Sequence, residues 1–303
     1  MAAPFTVVLG FDMETDVGSW TPFYEGLVHG TPLLLKLLAD KGVTSTCFFV
    51  GQAAQDHPAV LRAVQAAGHE IGCHSLFHET VGQSLFPIPG LHDLLPTEVE
   101  PRLRLATDWV AAVAGQRPVS FRCPRLFGST AVCQALEALG YVADASLPMY
   151  HYPDRCTPYH PDRQDWTKPG NLRLVEIPNF ADLSLDSRDP YGRDRDQWPL
   201  FRTHSAAALI KHIESFAHYC VQRAQPVVLC FYFHPWEFWP MPQGAIHYGE
   251  GAVVPDPFLV QNCGPYALEQ FGLLLDWLKD RGAQFRTAAE CARLTGAAQC
   301  PSP

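Results

Sequence analysis

The chain has 303 residues, of which 47% are hydrophobic, enough apolar material for a sizeable core and a length that α/β barrels use as one domain. Its 22 basic and 31 acidic side chains give a net charge of −9. That field repels phosphate backbones and no Lys/Arg cluster offsets it, so nucleic acid is not an expected partner. No run reaches the ~18 apolar residues of a membrane helix, so no membrane span is expected.

In chain order, residues 5–11 form a continuous apolar run with β-branched members, the pattern of a strand buried on both faces of a parallel sheet. Thr31-Pro32 reads as an N-cap followed by an N1 proline, and residues 33–41 run helically up to Gly42. A strand over 45–50 and a helix over 58–67, closed by Gly68, lead into a strand over 69–73. Thr97 and Glu100 have capping-box spacing, opening a helix that ends near Gly115. A strand over 119–122, a helix over 129–139 with Gly140 at its end, and a short strand over 141–144 follow. Residues 147–204 break this alternation: they are rich in Pro, Asp, Arg and aromatics, with one strand over 172–177. A segment this long is expected to be functional, walling the site and setting substrate choice. A helix over 205–223, a strand over 227–233, a helix over 265–281 and a strand over 284–286 resume the pattern. Thr287 and Glu290 cap a final helix. Seven or eight β/α units without a linker predict a single-domain α/β barrel over residues 1–295, with 296–303 as a frayed tail.

The N-terminal MAAPFTVVLGF has no basic region and passes directly into a strand, so it is not expected to be a signal peptide. Ten cysteines are scattered without CxxC pairs, and Cys47 and Cys230 sit inside apolar runs, where a thiol packs as a small hydrophobe. These features predict reduced cysteines and a cytoplasmic protein.

The stretch GHEIGCHSLFHE, residues 68–79, puts three histidines and two glutamates into twelve residues at the end of an apolar strand. Folding alone gives no reason for imidazoles there; metal binding does. His74 and His78 are four apart, which would place both on one face of a helical turn. The first strand ends with Asp12, Glu14 and Asp16, which alternation points to one side if the chain stays extended. Two histidines and a carboxylate leave coordination positions for water and substrate, as catalytic zinc sites do. Two further strand ends carry Arg122-Cys123-Pro124 and Phe231-Tyr232-Phe233-His234-Pro235-Trp236-Glu237. In barrels, chemistry collects at such ends.

Together these stretches resemble polysaccharide deacetylases, the NodB-like family also called carbohydrate esterase family 4. GFDMETD resembles their first motif, GHEIGCHSLFHE the second, FRCP the third, the Asp144 strand end the fourth and FYFHPWEF the fifth, in family order from residue 12 to residue 237. The resemblance implies a distorted (β/α)7–8 barrel of the NodB type and one divalent metal ion, with Zn2+ expected from the donor set. It makes Glu14, His74 and His78 the metal ligands, Asp12 the catalytic base, His234 the general acid and Arg122 the group that orients the base. Phe231 takes the place of the leucine that lines the acetyl pocket. Asp144 belongs to the substrate side, and Trp236, like Trp239, is either a sugar-stacking wall or core. Two departures stand out: Met13 separates the acidic pair, leaving Asp16 a rival ligand, and the Asp-Trp usually found downstream of Asp144 is missing. The Asp-x-Glu and His-Pro-Trp-Glu forms resemble the branch that includes allantoinase-like amidases.

The implied activity is metal-dependent removal of an N-acetyl or other acyl group from an amino sugar or acetylated glycan intermediate. An allantoinase- or cyclic-imidase-like amidase on a small molecule is the competing activity. A non-catalytic carbohydrate-binding homologue is the alternative outside catalysis; it predicts loss of a ligand or the base, and none is lost. The expected partner is a carbohydrate or small-molecule amide; the sequence leaves oligomeric state open.

Overall fold

Strand β1 (Thr6–Met13) organises the sheet, because it is the longest strand and pairs along both edges. The computed structural model describes residues 5–299. In order come β2 (Thr46–Phe49), β3 (Glu70–Cys73), β4 (Ser120–Phe121), β5 (Ala143–Asp144), β6 (Val175–Glu176), β7 (Val228–Phe233), β8 (Ile246–Tyr248), β9 (Gly251–Val253) and β10 (Gln284–Arg286). β7 runs along one edge of β1, from Thr6 opposite Val228 to Phe11 opposite Phe233. On the other edge β10 pairs the first half of β1 and β2 the second half. The sheet continues β2-β3-β4-β5-β6, every pair parallel. It curls until its ends meet at one bridge, Asn179 to Cys230, where Phe180 N–H donates to the Cys230 carbonyl at 2.7 Å. The fold is thus the expected single-domain parallel barrel, distorted where it closes.

Alternation divides the side chains. Val8, Phe48, Ala143, Ala145, Val175, Ile177, Val228 and Cys230 pack together inside the curl, whereas Val7, Leu9, Phe11 and Met13 face the surrounding helices. Helix Ala288–Gln299 plugs the bottom: Ala288, Cys291 and Ala292 join the interior cluster, while Ala288 N–H donates to Thr46 Oγ1 at 2.8 Å and Ala289 N–H to Glu70 Oε2 at 3.2 Å. A partly buried carboxylate and a buried hydroxyl at the helix N-terminus satisfy its free N–H groups. The helix thus covers the amino ends of the strands, and the cavity described below lies at their carboxyl ends.

Caps are partly as expected. Ser129 and Ser205 accept from Val132 N–H and Ala208 N–H, and Thr287 and Glu290 cap each other's backbone at 2.9 and 3.2 Å. The Thr97–Glu100 box does not form. Helix Pro96–Ala114 starts one residue earlier, with Pro96 preset for the first turn and Leu95 extended before it. Thr31 is not a cap either, because a π-helical turn, Gly26–Gly30, feeds directly into helix Thr31–Lys41. β4, β5 and β6 are two residues each, shorter than expected, and the hairpin β8–β9 was not foreseen. Helix Ala288–Gln299 continues past Leu294, where a tail was expected to begin; residues 300–303 lie outside the described residues. Among the described residues, no helix is long and apolar enough to cross a membrane, and nine cysteines are free.

Candidate active site

The end of β1 supplies Asp12 and Glu14, both buried. The loop after β3 supplies His74 and His78. This loop is not the helical turn their spacing suggested: Ser75 and His78 adopt φ of +67° and +61°, and Glu79 ties the turn by accepting from Phe77 N–H at 2.7 Å. The imidazoles still converge, with ring centroids 5.2 Å apart. His74 Nδ1 donates to the Arg122 carbonyl at 2.7 Å, which fixes the tautomer and leaves Nε2 a lone pair, 3.5 Å from Glu14 Oε2. His78 Nε2 lies 2.6 Å from the same oxygen. Burial holds His78 neutral, its pKa lowered to about 4 against the pull of Glu14. Burial opposes ionisation of Glu14 as well, yet the His78 and His74 imidazoles keep it below the usual carboxylate range.

This cluster fits a metal ion. Both Glu14 oxygens are buried, and their close neighbours are the ring nitrogens of His74, His78 and His234, so no N–H of the backbone competes for the carboxylate and it is left to hold a cation. The three donor atoms lie within 4.8 Å of one another. Two imidazoles and one carboxylate suit a borderline divalent ion such as zinc. Asp16 is elsewhere. β1 ends at Met13 and the chain turns, with Val17 at φ +59°, so alternation does not carry on to residue 16. Its carboxylate accepts from Glu25 and Gly26 N–H, each at 2.9 Å. Burial raises its pKa to about 7 despite those bonds.

Asp12 Oδ1 accepts from Arg122 Nη1 at 2.9 Å. The wholly buried guanidinium also donates from Nε to the Ala145 carbonyl at 3.0 Å and from Nη2 to the Phe231 carbonyl at 3.1 Å, and it lies over the Phe48 ring at 4.4 Å. Gly10 makes room for it, since a Cβ there would sit 2.3 Å from Arg122 Nη1. The arginine is held from four directions and in turn holds Asp12.

His234 faces the cluster from the end of β7, its Nε2 3.9 Å from Glu14 Oε1. Glu237 Oε1 accepts from His234 N–H at 2.9 Å, lies 3.0 Å from His234 Nδ1 and accepts from Trp198 Nε1 at 3.0 Å. Glu237 Oε2 accepts from Arg202 Nε at 2.6 Å, and Arg202 spends its other donors on the carbonyls of Phe258, Leu259 and Gln261. Burial alone would lower the His234 pKa; the Glu237 hydrogen bond, with the charges of Glu14, Glu237 and Asp12, more than offsets it, and the net shift is upward. His234 lines the cavity, and the upward shift favours its proton-bearing form, as proton donation there would need.

These groups open onto a cavity of about 300 Å3. Three residues expected to touch substrate do not line it. Phe231 has the opposite parity to His234 on β7 and points outward into the core beside Phe180; Tyr232 lines the cavity instead. Trp236 is wholly buried and stacks under His234, centroids 5.1 Å apart. Asp144 points away from the barrel interior, accepting the Ser146 hydroxyl near Cys133 and Glu176; burial pushes it up to about 6. Sequence reasoning missed Glu237, Arg202, Trp198 and Arg125. Only Glu237 carried a local signal, three residues after His234. Of the long segment 147–204, Tyr150, Arg193 and Trp198 do line the cavity.

Residues 4–143 match the family profile described as polysaccharide deacetylase. A chitooligosaccharide deacetylase of Azorhizobium caulinodans is 26% identical over 161 residues, covering 53% of this chain and 63% of that protein. The peptidoglycan-N-acetylglucosamine deacetylase of Bacillus cereus is 26% identical over 169 residues, covering 55% of this chain and 69% of that protein. The alignments therefore span about two-thirds of these relatives. Among solved structures, PuuE allantoinase superposes with a TM-score of 0.65 at 16% identity over 98% of this chain and 92% of that one. A Mycobacterium smegmatis structure described as a "putative polysaccharide deacetylase" gives 0.64 at 19% identity over 100% and 96%. At these identities the structural likenesses speak for the fold. The profile match and the curated relatives agree in likening residues 4–143 of this chain to the polysaccharide deacetylase family, and the solved structures share its barrel.

Proposed function

We propose that this protein is a metal-dependent hydrolase that removes an N-acetyl group from an amino sugar or a short acetylated glycan. The observation that carries this reading is that Glu14, His74 and His78 converge on one point with a buried carboxylate, Asp12, on one side and His234 on the other, all facing one cavity. A zinc-type ion held by Glu14, His74 and His78 would polarise the amide carbonyl and acidify a water molecule. Asp12, kept in place by Arg122, accepts the proton of the attacking water. His234, kept in place by Glu237, delivers a proton to the departing amine nitrogen. Each such transfer typically contributes 10²–10⁴-fold in rate.

A second activity, hydrolysis of a small cyclic amide or imide, is supported by the cavity's size: about 300 Å3 lies at the lower end of ligand pockets and suits one sugar unit or a small ring. The cytoplasm is our proposed compartment, supported by the nine free cysteines. The test is a panel of N-acetylated amino sugars and cyclic imides, read by acetate or ring-opened acid. Acetate from the sugars and no opened ring is the expected result; ring opening alone would replace the first activity by the second, and no product from either would leave the non-catalytic homologue.

A further inference from the structure

Arg125 sits in the cavity wall three residues past Arg122, and its charge is not accounted for by the mechanism. It is partly buried, lies against the Trp20 ring at 5.4 Å and shares the cavity with Asp12, Glu14, His78 and His234. The carboxylates around the cavity are engaged elsewhere: Asp12 with Arg122, Glu14 with His78, Asp196 with Arg193. Arg125 makes no ion pair among the described residues; its hydrogen bond runs from Nη1 to the His78 carbonyl, at a long 3.3 Å. Its backbone is strained as well. Arg125 and Leu126 adopt φ of +57° and +61°, a left-handed conformation that non-glycine residues hold where the surroundings impose it. The guanidinium is partly buried and, with one hydrogen bond to the protein, leaves most of its five donors open to the cavity, where they can meet a ligand.

We propose that Arg125 is a specificity residue that binds an anionic substituent of the substrate, a carboxylate or a phosphate, so that the preferred substrate is an acidic N-acylated compound and not a neutral one. Arg193, on the same cavity wall, adds positive potential but already faces Asp196 at 3.7 Å. A guanidinium fork matches either oxyanion with paired hydrogen bonds, which a lysine ammonium does not. The inference rests on the proposed activity for the identity of the reacting amide, but not for the anion site.

Binding is measured by calorimetry on the metal-loaded chain carrying Asp12→Asn to suppress turnover. The probes are N-acetylglucosamine as the neutral amide, N-acetylmuramic acid as its carboxylate and N-acetylglucosamine 6-phosphate as its phosphate. One or both acidic probes should bind at least about tenfold more tightly than the neutral one, the scale of a charge-assisted contact, and the larger margin identifies the oxyanion. Arg125→Gln added to this background should abolish the margin while the neutral probe's affinity and the metal content stay unchanged; Arg125→Lys should restore part of it. Equal affinity for all three probes, a uniform loss in Arg125→Gln, or no binding at all would overturn the proposal. Failure of the deacetylase reading looks different: the wild-type chain releases no acetate from any probe while the Arg125-dependent margin persists.

Discussion

Asp12, Glu14 and Asp16 are spaced two apart on one short stretch, yet each does different work. Glu14 is buried against the imidazoles of His74 and His78, Asp12 is clamped by Arg122, and Asp16 accepts two backbone N–H groups. Asp12→Asn is therefore expected to keep the metal while kcat falls by about 10²–10⁴-fold with little change in KM, the signature of an interaction made in the transition state. Asp16→Asn should leave metal content unchanged and lower thermal stability, read by calorimetry. His234 gives a pH test. Its raised pKa owes most among the raising influences to the Glu237 hydrogen bond. In the proposed mechanism the acid form of His234 is the active one, so activity is expected to fall as pH rises through that pKa. Glu237→Gln lowers the pKa, so the alkaline limb of the kcat profile should move to lower pH; a limb that stays in place would remove His234 from the acid role. The sequence showed the residue types of this stretch but not their division of labour, because the division depends on where β1 stops pairing, after Met13.

At the scale of elements, β7 shows both the reach and the limit of reading alternation. Its apolar run VLCFYF is buried on both faces, so hydrophobicity does not tell inside from outside. Parity does, once His234 is known to face the site: Tyr232 must face it too and Phe231 must not. Phe231 stands where the family's leucine lines the acetyl pocket, but its parity turns it into the core beside Phe180. Phe231→Leu should therefore cost stability, roughly 1–1.5 kcal/mol as a core swap, and leave KM unchanged. Tyr232→Ala should raise KM more than it lowers stability, as measured by kinetics beside a denaturant curve. The strands β4 to β6, at two residues each, were beyond reading at their true length, since their extended neighbours carry the same pattern without pairing. Arg202 and Trp198 were invisible for another reason. They come from the long segment 147–204 and reach Glu237 only through tertiary packing.

For the whole molecule, the alternation of strands and helices with glycines closing several helices was enough to specify a parallel barrel, because each local signal agreed with the global fold. The exception lies outside the barrel wall, where Asp144 and Glu176 are buried near Cys133. Burial raises both pKa values, that of Glu176 well above the normal range. The folded state thus keeps a proton on Glu176 that the unfolded chain releases above about pH 4.5. Stability is lost as pH rises from there towards the folded pKa. Glu176→Gln keeps the acceptor for the Ser146 and Leu147 N–H groups and removes the titration, so Tm should rise at pH 8, by roughly 2–4 °C for each kcal/mol recovered, and match the wild type near pH 4. The account as a whole stands on the junction of β1 and the loop after β3, where Glu14, His74 and His78 meet. The most direct test is elemental analysis of the purified chain beside Glu14→Gln and the His74→Ala/His78→Ala pair, with folding checked by circular dichroism. About one zinc-type ion per chain in the wild type, weakened retention in Glu14→Gln and none in the double variant is the result expected here; a folded, active wild type without a stoichiometric transition metal would contradict it.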